Sequence, residues 1–222
     1  MSEIRQIEAA DLMLATLWPR PFSREGWVFE LKYDGFRCLV RKRAEVVDLI
    51  TRQGNRLNPS FPDIVAAVAA VRGDFVCDAE LTVDDGDGRP SFERLQTRAR
   101  TSVPMRVRAA MREHPARLYV FDMLADGQAD IRQRPLSERR ERLRDSFENT
   151  ASLVCVNGIV GAGEWVFEQV ADLDLEGMVA KRLDAPYQRG RTKDWLKIKF
   201  TGYSRPDALG FGRARQIGRE NL

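Results

Sequence analysis

Histidine is almost missing from this chain. His114 is the only one in 222 residues, which leaves little room for imidazole metal clusters or a histidine-based triad. Cysteine is scarce and odd in number. Cys38, Cys77 and Cys155 stand far apart, make no metal-ligand spacing, and are expected as reduced thiols of a cytoplasmic protein. No apolar run approaches the ~20 residues of a membrane span. Met1-Ser2-Glu3-Ile4-Arg5 lacks the apolar core of a secretion signal, so no membrane partner is expected. Strong charge of either sign is also absent. Thirty-six Lys and Arg face 33 Asp and Glu, a net of +3 that permits a polyanionic partner without demanding one. There is no internal repeat and no low-complexity linker.

What is present suffices for a packed core: 43% of the residues are hydrophobic. The first two dozen residues read as loop, with Trp18-Pro19-Arg20-Pro21 resisting regular structure. Beyond them, strands are expected at 27–31, 36–40, 45–50, 75–83, 118–124, 152–156, 177–182 and 195–200. Helices are expected at 62–71, 92–98, 106–112, 137–147 and 164–173, with Ser60 and Ser137 as candidate caps. Strands without regular βαβ alternation point to an α+β fold of mainly antiparallel sheets flanked by helices.

One stretch organises the rest: Glu30-Leu31-Lys32-Tyr33-Asp34-Gly35-Phe36-Arg37. Asp-Gly between two apolar runs is a hairpin signal, which places Lys32 at the mouth of a tight turn. Two readings compete. One is a solvated lysine beside a turn. The other is a covalent nucleophile, which must shed its proton from an ordinary pKa of about 10.4 with help from neighbouring cations or a drier setting.

Three further stretches bear on the choice. In Asp78-Ala79-Glu80, strand alternation points both carboxylates to one face, either solvated or serving a divalent metal or ribose hydroxyls. In Glu176-Gly177-Met178-Val179-Ala180-Lys181, Glu176 stands at a strand entrance as a further metal-proximal carboxylate, and one of Met178 and Val179 belongs to the core. In Trp195-Leu196-Lys197-Ile198-Lys199, period two puts both lysines on one face, either solvated on an edge or clamping phosphates.

In this order the motifs resemble those of the covalent nucleotidyltransferase superfamily, and most closely the adenylation domain of ATP-dependent DNA ligases of the bacterial end-joining type. Thr51-Arg52-Gln53-Gly54, Val120-Phe121-Asp122 and Arg134-Pro135-Leu136-Ser137-Glu138-Arg139-Arg140 add to the match, which runs from about Met13 to Phe200. Asp78-Ala79-Glu80 departs from the more usual Asp-Gly-Glu. The resemblance implies an ATP-grasp-like nucleotidyltransferase fold over 1–200. It also implies that Lys32 attacks the α-phosphate of ATP to form lysyl-AMP, for transfer to the 5′-phosphate of nicked duplex DNA.

It further implies roles. Glu30 reads the adenine amino group, and Phe121 stacks on one adenine face with Met178 or Val179 on the other. Arg37 and Glu80 hold the ribose. Glu176 and Asp78 serve a divalent metal, Mg or Mn. Lys197 and Lys199 bind phosphate oxygens, with Lys181 in the same charged floor, and Arg52 faces the nick phosphate. The nucleophile motif is shared with RNA ligases and capping-type guanylyltransferases, and a non-catalytic nucleic-acid-binding module is the reading from another class. In complete ligases an OB-fold follows the last lysine motif. Residues 201–222 are too few for that five-stranded barrel, so they are expected as a short tail, with an OB-fold or end-joining protein acting in trans.

Overall fold

The computed structural model describes residues 7–86 and 88–203. The expected tail of 201–222 therefore lies, beyond Tyr203, outside the described residues. Eleven strands and five α-helices form among the described residues. One sheet contains β1 (Met13–Leu17), β11 (Gly190–Lys199), β10 (Gly177–Arg182), β2 (Trp27–Leu31) and β9 (Ile159–Val160), in that spatial order. The other runs β4 (Val46–Thr51), β3 (Phe36–Arg43), β5 (Phe75–Val83), β6 (Ala116–Asp126) and β7 (Ala129–Asp130), with β8 (Leu153–Cys155) parallel to β6. Apart from β1·β11 and β6·β8 the pairings are antiparallel. The fold is α+β, as expected.

Period-two patterning sorts the side chains into layers. On the first sheet Trp27, Phe29, Met178, Ala180, Leu196 and Ile198 pack with Val166 and Val170 of α5 (Gly163–Asp172). On the second, Val40, Leu49, Cys77, Leu81 and Leu118 pack with Ile64 and Val68 of α1 (Pro62–Ala70) and Leu95 of α2 (Phe92–Ala99). Between the sheets lies a third cluster that includes Met13, Leu39, Val76, Phe121, Tyr187 and Trp195. α3 (Pro104–Glu113) packs on α2, and α4 (Leu136–Ser146) lies against β6.

The expected hairpin around Asp34-Gly35 does not form. β2 pairs with β10 and β9, whereas β3 pairs with β4 and β5, so residues 32–35 cross from one sheet to the other. Gly35 does not adopt the left-handed conformation a primed turn requires. It is needed for space instead. A Cβ there would overlap the Leu81 carbonyl oxygen and stand 3.0 Å from Glu80 Cγ and Thr82 Cγ2. Three smaller expectations also change. Residues 13–17, read as loop, form β1. Ser60 does not cap α1, because its hydroxyl donates to the Ala99 carbonyl (3.1 Å). Ser137 lies inside α4, whose N-cap is Pro135.

Candidate active site

The cleft between the sheets collects mainly one residue parity from each central strand, with Leu31 of the other parity also on its wall. Opposite the core-facing set above, β2 leads into the cleft through Glu30 and Lys32, β10 through Val179 and Lys181, and β11 through Trp195, Lys197 and Lys199. The second sheet answers with Arg37 of β3, Glu80 of β5 and Phe121 of β6. The cleft has two parts. A pocket of about 230 Å³ is lined by Glu30, Phe121, Val156, Val179, Lys181 and Trp195, and also by Arg191 and Lys197. A wider recess of about 700 Å³ is lined by Gln53, Asn55, Arg56, Glu176 and Lys199 among others. Lys32, Arg37, Arg52 and Glu80 line both. Lys32 thus stands where pocket and recess meet.

Lys32 is fixed from two directions. Its backbone N–H donates to the Gly177 carbonyl (2.9 Å), and its Nζ donates to Glu176 Oε2. Glu176 Oε1 lies 3.5 Å from Lys199 Nζ, so one carboxylate bridges two lysines. Burial lowers the Lys197 pKa, and the positive fields of Lys32, Lys199 and Arg191 lower it further. Lys32, Lys199 and Arg191 thus crowd Lys197 with positive charge. Glu80 is pushed up to about 7 by burial, against the opposing pull of Lys32 and Arg37.

The pocket floor is a buried charged lattice. Glu30 accepts from Arg140 Nη1 on one oxygen and lies 2.5 Å from Lys181 Nζ with the other. Burial holds the Lys181 ammonium well below the ordinary lysine range, and it sits 4.3 and 4.4 Å from the centroids of the Phe121 and Trp195 rings. Arg37 lies 4.6 Å from the Phe121 centroid. Cations within about 6 Å of an aromatic centroid are attracted by the ring quadrupole, so Phe121 is braced by the Arg37 guanidinium, with Lys181 packed on the same ring. Trp195 Nε1 is buried without a hydrogen-bond partner among the described residues.

Two expected placements are corrected. Asp78 shares a strand face with Glu80, but it is fully buried and lines neither cavity. Both its oxygens receive Arg37, at 2.5 Å each, and Tyr187 Oη donates to Oδ2 at 2.5 Å. Tyr187 Oη in turn accepts from the Met13 N–H (2.9 Å), and Arg37 donates to the Met13 carbonyl (3.1 Å). This ring ties β1 to the second sheet. Burial opposes the Arg37 charge, but Asp78 outweighs it and holds the guanidinium above its ordinary range. Asp78 is thereby consumed as a counter-ion and has no face left for a metal. Met178 has the wrong parity. It is fully buried against α5, and Val179 is the member of the pair that lines the pocket.

The sequence reading assigned no role to Arg139 or Arg140 of α4. Arg139 makes a buried two-point pair with Asp122 (2.7 and 2.8 Å), directly after Phe121, and Arg140 holds Glu30. The signal was present. Leu136, Arg139, Arg140 and Leu143 follow the i, i+3, i+4, i+7 spacing of a buried helical stripe.

Among the described residues, no group of three or more His, Cys, Asp or Glu side chains is arranged to enclose a metal ion. Of the two carboxylates expected at a metal, Glu176 is the one that stands beside Lys32. Magnesium is commonly held by one or two carboxylates with substrate phosphates and water completing the shell. The residues therefore fit an ion that arrives with a nucleotide.

A family model described as the ATP dependent DNA ligase domain matches residues 13–199. The chain is 30% identical over 197 residues to the SPbeta prophage-derived DNA ligase-like protein LigB of Bacillus subtilis, covering 84% of this chain and 69% of that protein. It is 31% identical over 218 residues to the multifunctional non-homologous end joining protein LigD of Pseudomonas aeruginosa, covering 92% of this chain but 24% of the relative. The crystal structure of the ligase domain of M. tuberculosis LigD superposes with a TM-score of 0.70 at 28% identity, over 86% of this chain and 59% of that one. A mycobacterial DNA ligase D complexed with ATP and MES superposes with a TM-score of 0.69 at 27% identity, over 86% and 60% of the two chains.

Proposed function

The chain belongs to the ATP-dependent DNA ligase domain family, as an adenylation domain, and from that premise we propose that it binds ATP in the pocket and adenylylates itself on Lys32. The observation that carries the reading is the position of Lys32 on the shared rim of pocket and recess. A nucleophile there can take the nucleotide from one side and give it up to the other.

In the first step Lys32 Nζ, having released its ammonium proton to solvent, bonds to the α-phosphorus of ATP, the bond from that phosphorus to the bridging oxygen of the β-phosphate breaks, pyrophosphate leaves, and the nitrogen gives up a second proton as the phosphoramidate forms. Glu176 holds the amine in place through its hydrogen bond. Lys197 and Lys199 meet the negative charge that builds on phosphate oxygens, a preorganised electrostatic contribution. The adenine lies among Phe121, Val179 and Trp195, with Glu30 at its amino group and Arg37 and Glu80 toward the ribose. A divalent ion, Mg or Mn, would be held by Glu176 and would add positive charge at the phosphates. In the second step the recess receives the 5′-phosphate of nicked duplex DNA beside Arg52, and AMP passes to it. An OB-fold or end-joining protein is a further proposed partner on the DNA. The three cysteines are buried free thiols, in keeping with a reducing, cytoplasmic setting.

The test is mass spectrometry of the purified protein with and without ATP and magnesium. One adenylate should add, stable to alkali and labile to acid, and Lys32→Ala should add none. Adenylylation of Lys32→Ala would overturn the assignment.

A further inference from the structure

The most one-sided charge in the molecule lies outside the cleft. From Arg94 to Arg112 the sequence carries six arginines and no acid, while the whole chain nets +3, so the remainder nets −3. Two of the six serve the fold. Arg98 is fully buried, pairs with Asp63 and donates to the His114 carbonyl (2.8 Å), and half-buried Arg94 donates to the Asp84 carbonyl (3.4 Å). Arg106, Arg108 and Arg112 of α3 are different. All three are exposed, and none makes an ion pair or hydrogen bond with a described residue. Arg108 and Arg112 line a shallow groove whose one acid, Asp63, is already taken by Arg98. These three guanidinium groups on one short helix find no ion-pair or hydrogen-bond partner among the described residues.

We propose that α3 is a second contact for the phosphate backbone of duplex DNA, away from the reacting end. The proposal rests on nicked duplex DNA being the substrate. α2 connects the two regions, since its Phe92 and Ala99 line the recess beside Arg52 and Arg56, and α3 packs on α2. Arg108 and Arg112, four residues apart, share one face of α3 and span about 6 Å of helix axis at 1.5 Å per residue, while Arg106 stands on another side of the helix. Duplex DNA offers a charge every ~1.7 Å of its own axis, so the arginines face more phosphates than they can neutralise. The contact reads charge and not sequence, because guanidinium-to-phosphate bonds position a duplex without distinguishing its bases.

The experiment is fluorescence anisotropy with a blunt, unnicked duplex over a range of KCl concentrations. It compares the wild type, an Arg106→Gln/Arg108→Gln/Arg112→Gln triple variant, and a control triple of equal charge loss at exposed Arg20, Arg24 and Arg72. Each lost phosphate contact lowers the slope of log affinity against log salt by about 0.9. With Arg108 and Arg112 on the shared face, the α3 variant should therefore lose about two units of slope, and the control less than one. Self-adenylylation with ATP, measured without DNA, should stay within twofold in both variants. Equal slope changes in the two triples would mean bulk charge and overturn the proposal. So would an unchanged slope in the α3 variant, including a result in which that variant loses binding only to poly-glutamate, which would assign the surface to an acidic protein. Failure of the wild type to bind duplex even at low salt would remove the substrate reading as well, while the adenylylation assay reports on Lys32 separately.

Discussion

Gly35→Ala should damage chemistry more than its single methyl suggests. The backbone of residue 35 passes so close to β5 that the added Cβ overlaps the Leu81 carbonyl and presses on Glu80 Cγ and Thr82 Cγ2 at 3.0 Å, where ordinary Cβ contacts begin near 3.4 Å. Relief requires residues 32–35 to move off β5 by roughly 1 Å, since carbon contacts relax only at about 3.5–4.0 Å. Overpacking of this kind costs about 1–3 kcal/mol, or a melting temperature lower by roughly 3–10 °C for a chain of this size. The rate consequence is larger. Lys32 is three residues upstream on the same crossover and Glu80 is one of the groups pressed. A 1 Å misplacement of a reacting group costs on the order of 10²-fold. The assay is single-turnover adenylylation by mass spectrometry alongside thermal unfolding. Gly73→Ala is the control. Gly73 has φ +78° and open space around its would-be Cβ, so alanine there should cost only conformational strain, about 1–2 kcal/mol, with a normal rate. If Gly35→Ala matches Gly73→Ala in both readouts, steric pressure on the crossover is not what fixes Lys32.

Four other outcomes are expected. Lys197→Ala should melt within a few degrees of the wild type, because burial and three cations already disfavour its charge, yet adenylylate about 10²-fold more slowly; an unchanged rate would remove it from the phosphate site. Phe121→Leu should weaken ATP binding by about 1–3 kcal/mol, and lost stability with unchanged ATP affinity would make the ring plain core. Glu80 has a folded pKa of about 7, above its ordinary 4.5, so the folded state holds the extra proton and stability falls as pH rises from about 4.5 through 7. Glu80→Gln should escape that fall and gain roughly 1–3 kcal/mol on the wild type between pH 5 and pH 8 in metal-free urea unfolding; parallel profiles would contradict the shift. Arg139→Met strands a buried Asp122 and should cost about 3–5 kcal/mol, read as a melting temperature lower by roughly 10 °C, and a loss below 1 kcal/mol would mean Asp122 is not charged.

Periodicity made much of this molecule legible from its sequence. The strand at 75–83 and the helix near 62–70 matched their predicted bounds closely, because apolar spacing is a local property. The alternation of Leu196 and Ile198 with Lys197 and Lys199 also held. What failed was non-local. Asp34-Gly35 looks like a turn because turns and close approaches both select glycine, and only the sheet pairings separate the two. β1 was hidden because its partner, β11, lies about 180 residues away and parallel. Alternation placed Asp78 beside Glu80 correctly but could not reveal that Arg37 already occupied it. Arg139 and Arg140 sat on a recognisable stripe, yet a buried arginine is credible only once its acid is seen.

The shared parity of the cleft strands has an evolutionary side. On β2, β10 and β11 the reactive and packing side chains alternate without a spare position. Losing or gaining one residue inside such a strand exchanges its two faces, which on β11 would aim Leu196 and Ile198 at the cleft and bury two lysines against α5. Drift in length among descendants of this chain should therefore be confined to the connections. Within these three strands, insertions and deletions should survive only in pairs or where a bulge absorbs them, as the β1·β11 register already does between Ala15 and Thr16.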